Sequence, residues 1–135
     1  MVESKKEHKC KREIKIKAYD IVTVDFGDVP IGSEQGGIRP AVVIQNNIGN
    51  YYSPTTIVLP LTSQKKSLKQ PTHVLLKSEF ISALTEDSIV LGEAVRQVDK
   101  SRILDYRGKI TDKKYKQQIY NAYIQHRRSE WINVL

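Results

Sequence analysis

Five short runs of β-forming residues crowd the middle of this chain: IVTVDF at 21–26, IRPAVVIQ at 38–45, TTIVLPL at 55–61, THVLLK at 72–77 and DSIVLG at 87–92. Gly, Pro, Asn and Ser punctuate the stretches between them. Some runs alternate apolar with polar residues and others are apolar throughout, and short runs of both kinds at this spacing predict a small β-barrel. SEFISAL at 78–84 predicts a helical turn or two between strands, and VDKSRIL starts another after Asp99. Further on, Tyr115, Ile119, Ala122 and Tyr123 fall at i, i+4, i+7 and i+8 behind a capping position at Thr111, which predicts an amphipathic helix over 112–128. The expected architecture is mainly β with one C-terminal helix, an α+β arrangement in which the helix packs on a small curved sheet.

A chain of 135 residues, 39% of them hydrophobic, is expected to build one modest core and one domain, here residues 18–135. Residues 1–17 stand apart. Lys5, Lys6, Lys9, Lys11, Arg12, Lys15 and Lys17 face Glu3, Glu7 and Glu13 with little apolar material, the composition of a flexible basic arm. Such an arm either attracts RNA unspecifically through counterion release or is merely solvated. Over the whole chain 22 Lys and Arg oppose 15 Asp and Glu, a formal charge of +7 that suits a polyanion such as nucleic acid or, equally, plain solubility. No apolar run nears the ~20 residues that span a bilayer, and no secretory segment opens the chain, so a cytoplasmic protein is expected. Cys10 is the only cysteine, which rules out an intramolecular disulfide and reads as a passive thiol.

Residues 33–47, SEQGGIRPAVVIQNN, set an arginine between a glycine hinge and an apolar strand. Gly36 and Gly37 allow positive φ, Pro40 fixes the backbone after Arg39, and Ala41, Val42, Val43 and Ile44 give the arginine a stiff base. A guanidinium so held offers up to five donors, matches two phosphate oxygens at once and stays charged at working pH. His8, His73 and His126 are scattered over three elements, so neither a two-histidine ribonuclease pair nor a metal-ligand cluster is visible, and no cofactor is expected. P-loop and nucleophile-elbow motifs are missing as well. Were the polyanion RNA, no enzyme nucleophile would be needed, because its own 2′-hydroxyl can attack the adjacent phosphorus when the geometry is in line. The protein then supplies positioning and charge stabilisation, for which Arg39 is the first candidate. Thr62 closes the next apolar run just before Ser63, Gln64, Lys65 and Lys66. Its hydroxyl either holds a phosphate oxygen or satisfies a backbone group. Pro60, two residues earlier, predicts a bulge or an edge there.

The same 33–47 segment, followed in order by YSPTTIVLPLTS, QPTHVLL and EDSIVLGEAVRQVDKSRI, resembles the MazF/PemK family of toxin endoribonucleases over about residues 18–104. The resemblance implies a PemK/CcdB-like domain related to small SH3-like β-barrels, and a homodimer. It further implies an mRNA interferase of a toxin–antitoxin system, a sequence-specific, metal-independent endoribonuclease. Such an enzyme cuts single-stranded mRNA to leave a 2′,3′-cyclic phosphate and a 5′-hydroxyl, and an acidic, partly disordered antitoxin lying in the RNA groove inhibits it. Arg39 and Thr62 match the family's catalytic pair. The family pattern also gives the arginine an acid/base part, which a guanidinium with a pKa above about 12 plays poorly. Fold alone does not separate this reading from a CcdB-type toxin that binds DNA gyrase, or from an RNA-binding module without turnover.

Ser33, Glu34, Gln35, Gly36 and Gly37 are the expected mobile RNA-binding loop beside Arg39, and Ser63, Gln64 and Glu93 are the other RNA-binding candidates. The resemblance places Glu93 and Arg96 toward the RNA or the dimer partner, and Glu93 suits either a base amino group or a salt bridge with Arg96. Gln45, Asn46 and Asn47 either read base edges or form a turn, and Tyr51 and Tyr52 either stack on bases or shield a hairpin tip. His73 reads as structural. The family pattern is broken at three places. The connection from Asp25 to Ser33 is one residue longer than in many relatives, Ala94 stands where several carry glutamine, and Ala18 and Tyr19 replace an arginine and glycine before Asp20. The last change is expected to alter the chain's angle of approach to the barrel.

Overall fold

Each of the five β-forming runs is a strand in the computed structural model, which describes residues 15–28 and 36–134, with side chains described as far as residue 125. They are β1 (Asp20–Asp25), β2 (Ile38–Val43), β3 (Thr55–Thr62), β4 (His73–Leu76) and β5 (Ser88–Leu91). Most of the expected N-terminal arm, Cys10 and loop residues Ser33, Glu34 and Gln35 lie outside the described residues. Two strands were not anticipated, β6 (Arg96–Asp99) and β7 (Ile103–Lys109). Between them the expected turn is one of 3-10 helix, Lys100–Arg102, whose backbone at Ser101 is capped by Asp99. β7 hid in the sequence because it lies at the sheet's edge and buries only Ile103, so its other positions carry no apolar alternation.

The supposed hairpin tip is a short helix, α1 (Asn47–Tyr52), capped by Asn46, whose side chain accepts from the Gly49 amide. Gln45, Asn46 and Asn47 therefore take the turn-forming alternative. Gln45 bonds Asn50 and the Thr55 carbonyl, and Asn47 accepts from the Ala18 amide at 2.8 Å. The C-terminal helix, α2 (Lys113–Val134), runs past its expected end. Its cap is Asp112 rather than Thr111, since the Asp112 carboxylate accepts from Lys114 N at 2.7 Å.

All strand pairs are antiparallel, in the order β4-β5-β3-β2-β1-β7 with β6 joined to β3, and the ring of hydrogen bonds is not closed. The fully apolar runs are explained by two cores, one on each side of the sheet. Ile21, Val42, Leu59 and Leu61 point into the first, with Ile119 and Ala122 of α2. Their neighbours Val22, Ala41, Val43 and Val58 point into the second, with Val98 and Ile103. Successive residues of one strand thus serve opposite cores, as the period of 2 requires. Gly92 lets α2 sit close: a Cβ there would lie 2.7 Å from the Thr72 carbonyl oxygen and 3.2 Å from Ala122.

At the start of the sheet the backbone absorbs the lost glycine in place. Tyr19 itself adopts φ +71°, the left-handed conformation glycine takes most easily. Its N–H donates to the Val43 carbonyl at 2.7 Å, its carbonyl accepts from Ile110 at 3.0 Å, and the Lys116 ammonium lies 5.6 Å from its ring centroid. These contacts hold a conformation that costs an L-residue roughly 1–2 kcal/mol.

Candidate active site

The base of the loop between β1 and β2 is closed by two backbone bonds. Phe26 N donates to Gly37 O at 2.9 Å and Gly37 N to Gly27 O at 3.0 Å. Gly37 has φ +72° and open space where a Cβ would stand, so backbone conformation and not crowding demands glycine there. Arg39 follows, half-buried on β2 and paired with Val24 of β1. Its Nε donates to the carbonyl of buried Gly36 at 3.0 Å. One of the guanidinium's donors is thus used to fix its orientation against the neck of the loop.

Thr62 ends β3, is 8% exposed, and pairs with Ile89 of β5. Its hydroxyl accepts from the Gln64 amide at 3.2 Å, a turn that leads into the exposed residues Ser63 and Gln64. That bond uses a lone pair and leaves the O–H hydrogen uncommitted to it. Pro60, which has no N–H, lies where β3 changes partner from β6 to β5, consistent with the expected irregularity.

Register relates the two residues. β2 and β3 pair at Val43–Val58, Val42–Leu59 and Ala41–Pro60. Beyond that point β2 stays with β1 and β3 with β5. Two residues past the last of these pairs, counted along each strand, come Arg39 on β2 and Thr62 on β3. Alternation puts both on the same face as Ala41 and Pro60. An arginine and a hydroxyl therefore stand on the two strands just past the point where they part.

Two more guanidinium groups gather at the neck: Arg96, which the resemblance sets toward the RNA or the dimer partner, and Arg102, which the sequence did not point to. Arg96 of β6 lies over the Phe26 ring at 5.2 Å from its centroid, and Arg102 Nη1 donates to the Asp25 carbonyl at 3.1 Å. Only the topology brings residues 39, 96 and 102 to one place. Tyr51 and Tyr52, each 79% exposed and packed edge to face, sit instead on α1, beyond the other end of the β2–β3 pair. Strand rise separates them from Arg39 by roughly 20 Å along the sheet.

Glu93 is bound on both oxygens. Thr72 Oγ1 donates to Oε1 at 2.9 Å, and His73 Nε2 lies 3.1 Å from Oε2. Burial pushes its carboxyl up, but bonds from its own backbone amide, His73 and Thr72 outweigh this and hold it below the ordinary glutamate range. Its partners are those two residues, while Arg96 stacks on Phe26.

Fold and site together define a small basic β-domain in which arginines gather where two strands of an antiparallel sheet part, with the C-terminal helix packed on that sheet. Comparison with protein families makes this specific: residues 17–123 match the PemK-like, MazF-like toxins of type II toxin–antitoxin systems, and the chain belongs to that family. It is 46% identical over 104 residues to the endoribonuclease MazF of Staphylococcus saprophyticus, a match covering 76% of this chain and 83% of that protein. With the endoribonuclease EndoA of Bacillus subtilis it shares 44% identity over 90 residues, 67% of this chain and 76% of the relative. Among solved structures, a mycobacterial endoribonuclease in complex with its cognate antitoxin superposes with a TM-score of 0.68 at 19% identity, over 84% of this chain and 95% of that one. The last likeness concerns the fold, and bears out the expected PemK-like architecture although the sheet stays open. Among the described residues no helix is long and apolar enough to cross a membrane.

Proposed function

We propose that this protein is the toxin of a toxin–antitoxin pair, a sequence-specific endoribonuclease that cuts single-stranded mRNA without a metal. The observation that carries the reading is that the β2–β3 ladder ends two residues short of both Arg39 and Thr62, in a chain that belongs to a family with endoribonuclease members. In the proposed reaction the 2′-oxygen attacks phosphorus as its proton departs. The bond from phosphorus to the 5′-oxygen breaks, that oxygen takes up a proton, and a 2′,3′-cyclic phosphate and a 5′-hydroxyl remain. Charge gathers on the non-bridging oxygens in the transition state. Arg39 stabilises it there, and its bond to Gly36 aims the fork beforehand so that little reorganisation is needed. Thr62 orients the reacting phosphate or 2′-hydroxyl from the opposite strand.

Gly36, Gly37, Ser63 and Gln64 line the two loops that leave this mouth, and with Ser33, Glu34 and Gln35 they form the RNA path in this reading. Arg96 and Arg102 add positive potential beside it. The formal charge of +7 serves two partners, since a basic groove attracts RNA and an acidic antitoxin for the same reason. The mycobacterial neighbour with its antitoxin supports the second. The protein acts as a homodimer in the cytoplasm, where its substrate is.

Incubation of the protein with a long RNA in EDTA, followed by mapping of the cut ends, tests this. Cuts at a recurring short sequence, with cyclic phosphate on one side and 5′-hydroxyl on the other, are expected. RNA left intact, whether bound or not, overturns the reading, and a gyrase target then becomes the assay of choice.

A further inference from the structure

Between Thr62 and β4 the chain makes a basic loop, residues 63–71, with Lys65, Lys66 and Lys69 exposed. One side chain ties its middle to the sheet. His73 Nδ1 lies 2.8 Å from the Ser67 carbonyl oxygen, while Nε2 lies 3.1 Å from Glu93 Oε2, and the imidazole is only 6% exposed. A carbonyl accepts and never donates, and an ionised carboxylate does the same. Both ring nitrogens therefore face acceptors, and both contacts are made at once only by the doubly protonated ring. A neutral ring has one N–H, and its bare nitrogen then meets an oxygen lone pair. Glu93 is well placed to hold the charged form, being itself fixed by Thr72, which also accepts from Gln70 at 3.2 Å. Glu93 is the charged group that meets His73 from the β5–β6 side. On the helix side, among the described side chains, the neutral amides of Gln118, Asn121 and Gln125 border an open groove of about 400 Å³ with His73.

We propose that His73 is a positioning residue, a protonation-dependent clasp that holds the basic loop 63–71 against the sheet and so sets the RNA path leading away from Thr62. With the imidazolium formed, the loop is tied at Ser67. When the proton leaves, one of the two contacts turns repulsive and the loop loosens, so RNA binds more weakly while the chemistry at Arg39 and Thr62 is unchanged. The clasp itself is a property of the free protein; its consequence for RNA rests on the reading above.

Amide hydrogen exchange of loop 63–71 is measured in the wild type and His73→Gln from the acidic to the alkaline limit at which both stay folded. Alongside it, binding of an RNA blocked by a 2′-deoxy sugar at the cut site is followed, with kcat on the cleavable RNA. In the wild type, loop protection falls as pH rises beyond the intrinsic pH effect on exchange. Kd for the blocked RNA rises about tenfold, as for a loop that keeps its binding position about a tenth of the time. His73→Gln shows the loosened loop and weakened binding at every pH, with kcat close to that of the wild type. Nitrogen NMR of the wild-type ring needs no variant and is expected to find both ring nitrogens protonated at the acidic end. A singly protonated ring there, or loop exchange that follows the intrinsic pH dependence, overturns the clasp. A loop that loosens with no change in Kd overturns its role in RNA binding. Failure of the wild type to cut any RNA would count against the endoribonuclease and leave the exchange and NMR results to judge the clasp.

Discussion

Arg39 and Thr62 stand on two strands that have just come apart. The ladder from Val43–Val58 to Ala41–Pro60 ends two residues short of them, and each strand then follows a different neighbour. A closed ladder would fill this place with backbone hydrogen bonds. An opened one leaves a mouth with a cation on one lip and a hydroxyl on the other.

The hydroxyl is separable from the side chain's shape. Thr62→Val keeps the branched form at a position 8% exposed and removes the O–H. Cleavage is expected to slow on the order of 100-fold, the scale on which one preorganised polar group acts. Stability should fall by no more than about 1.5 kcal/mol, because the Gln64 amide loses one acceptor. Single-turnover rates and a urea titration measure the two effects. Unchanged turnover would reduce Thr62 to a turn-former.

Tyr19 makes a differential prediction about strain. Tyr19→Gly and Tyr19→Ala both lose the ring that packs on the first core and carries Lys116, so both are less stable than the wild type. Glycine is nevertheless expected to be the better of the two by about 1 kcal/mol, since alanine keeps a Cβ at φ +71°. Chemical denaturation of the pair decides it, and an alanine variant at least as stable as the glycine one would contradict the strain.

Gly92 tests how closely α2 is seated. A methyl group would stand 2.7 Å from the Thr72 carbonyl oxygen, which is backbone and has little room to yield. Gly92→Ala is expected to cost about 1–3 kcal/mol in a thermal or urea melt, as overpacking does. Wild-type stability in that variant would mean that the helix rides higher than described.

What the sequence made readable follows from where burial falls. β1 to β5 are apolar because two cores claim alternate residues, and that pattern survives in one dimension. The seat of α2 was legible for the same reason, through Ile119 and Ala122. β7 was not, since an edge strand satisfies its backbone on β1 and buries little. α1 was missed because its helix depends on the Asn46 cap and on the buried amide of Asn50, which bonds Gln45 and Thr56, and no apolar period announces it. Within the site, Arg39 and Thr62 were found singly, from the glycine hinge and the end of an apolar run. Their relation needed the β2–β3 register. Arg96 was singled out through the resemblance alone and Arg102 not at all, because nothing short of the folded topology brings them to Phe26 and Asp25. Glu93 read as a base-contacting or ion-pairing carboxylate, and its engagement by Thr72 and His73 depends on a strand pairing that sequence spacing does not reveal.

The most direct test of the account is the single-turnover cleavage rate of Arg39→Ala on an RNA that the wild type cuts, with circular dichroism and a urea midpoint confirming that the variant is folded. The account predicts a rate lower by on the order of 100- to 1,000-fold at saturating protein. A folded Arg39→Ala protein that keeps most of the wild-type rate would contradict it.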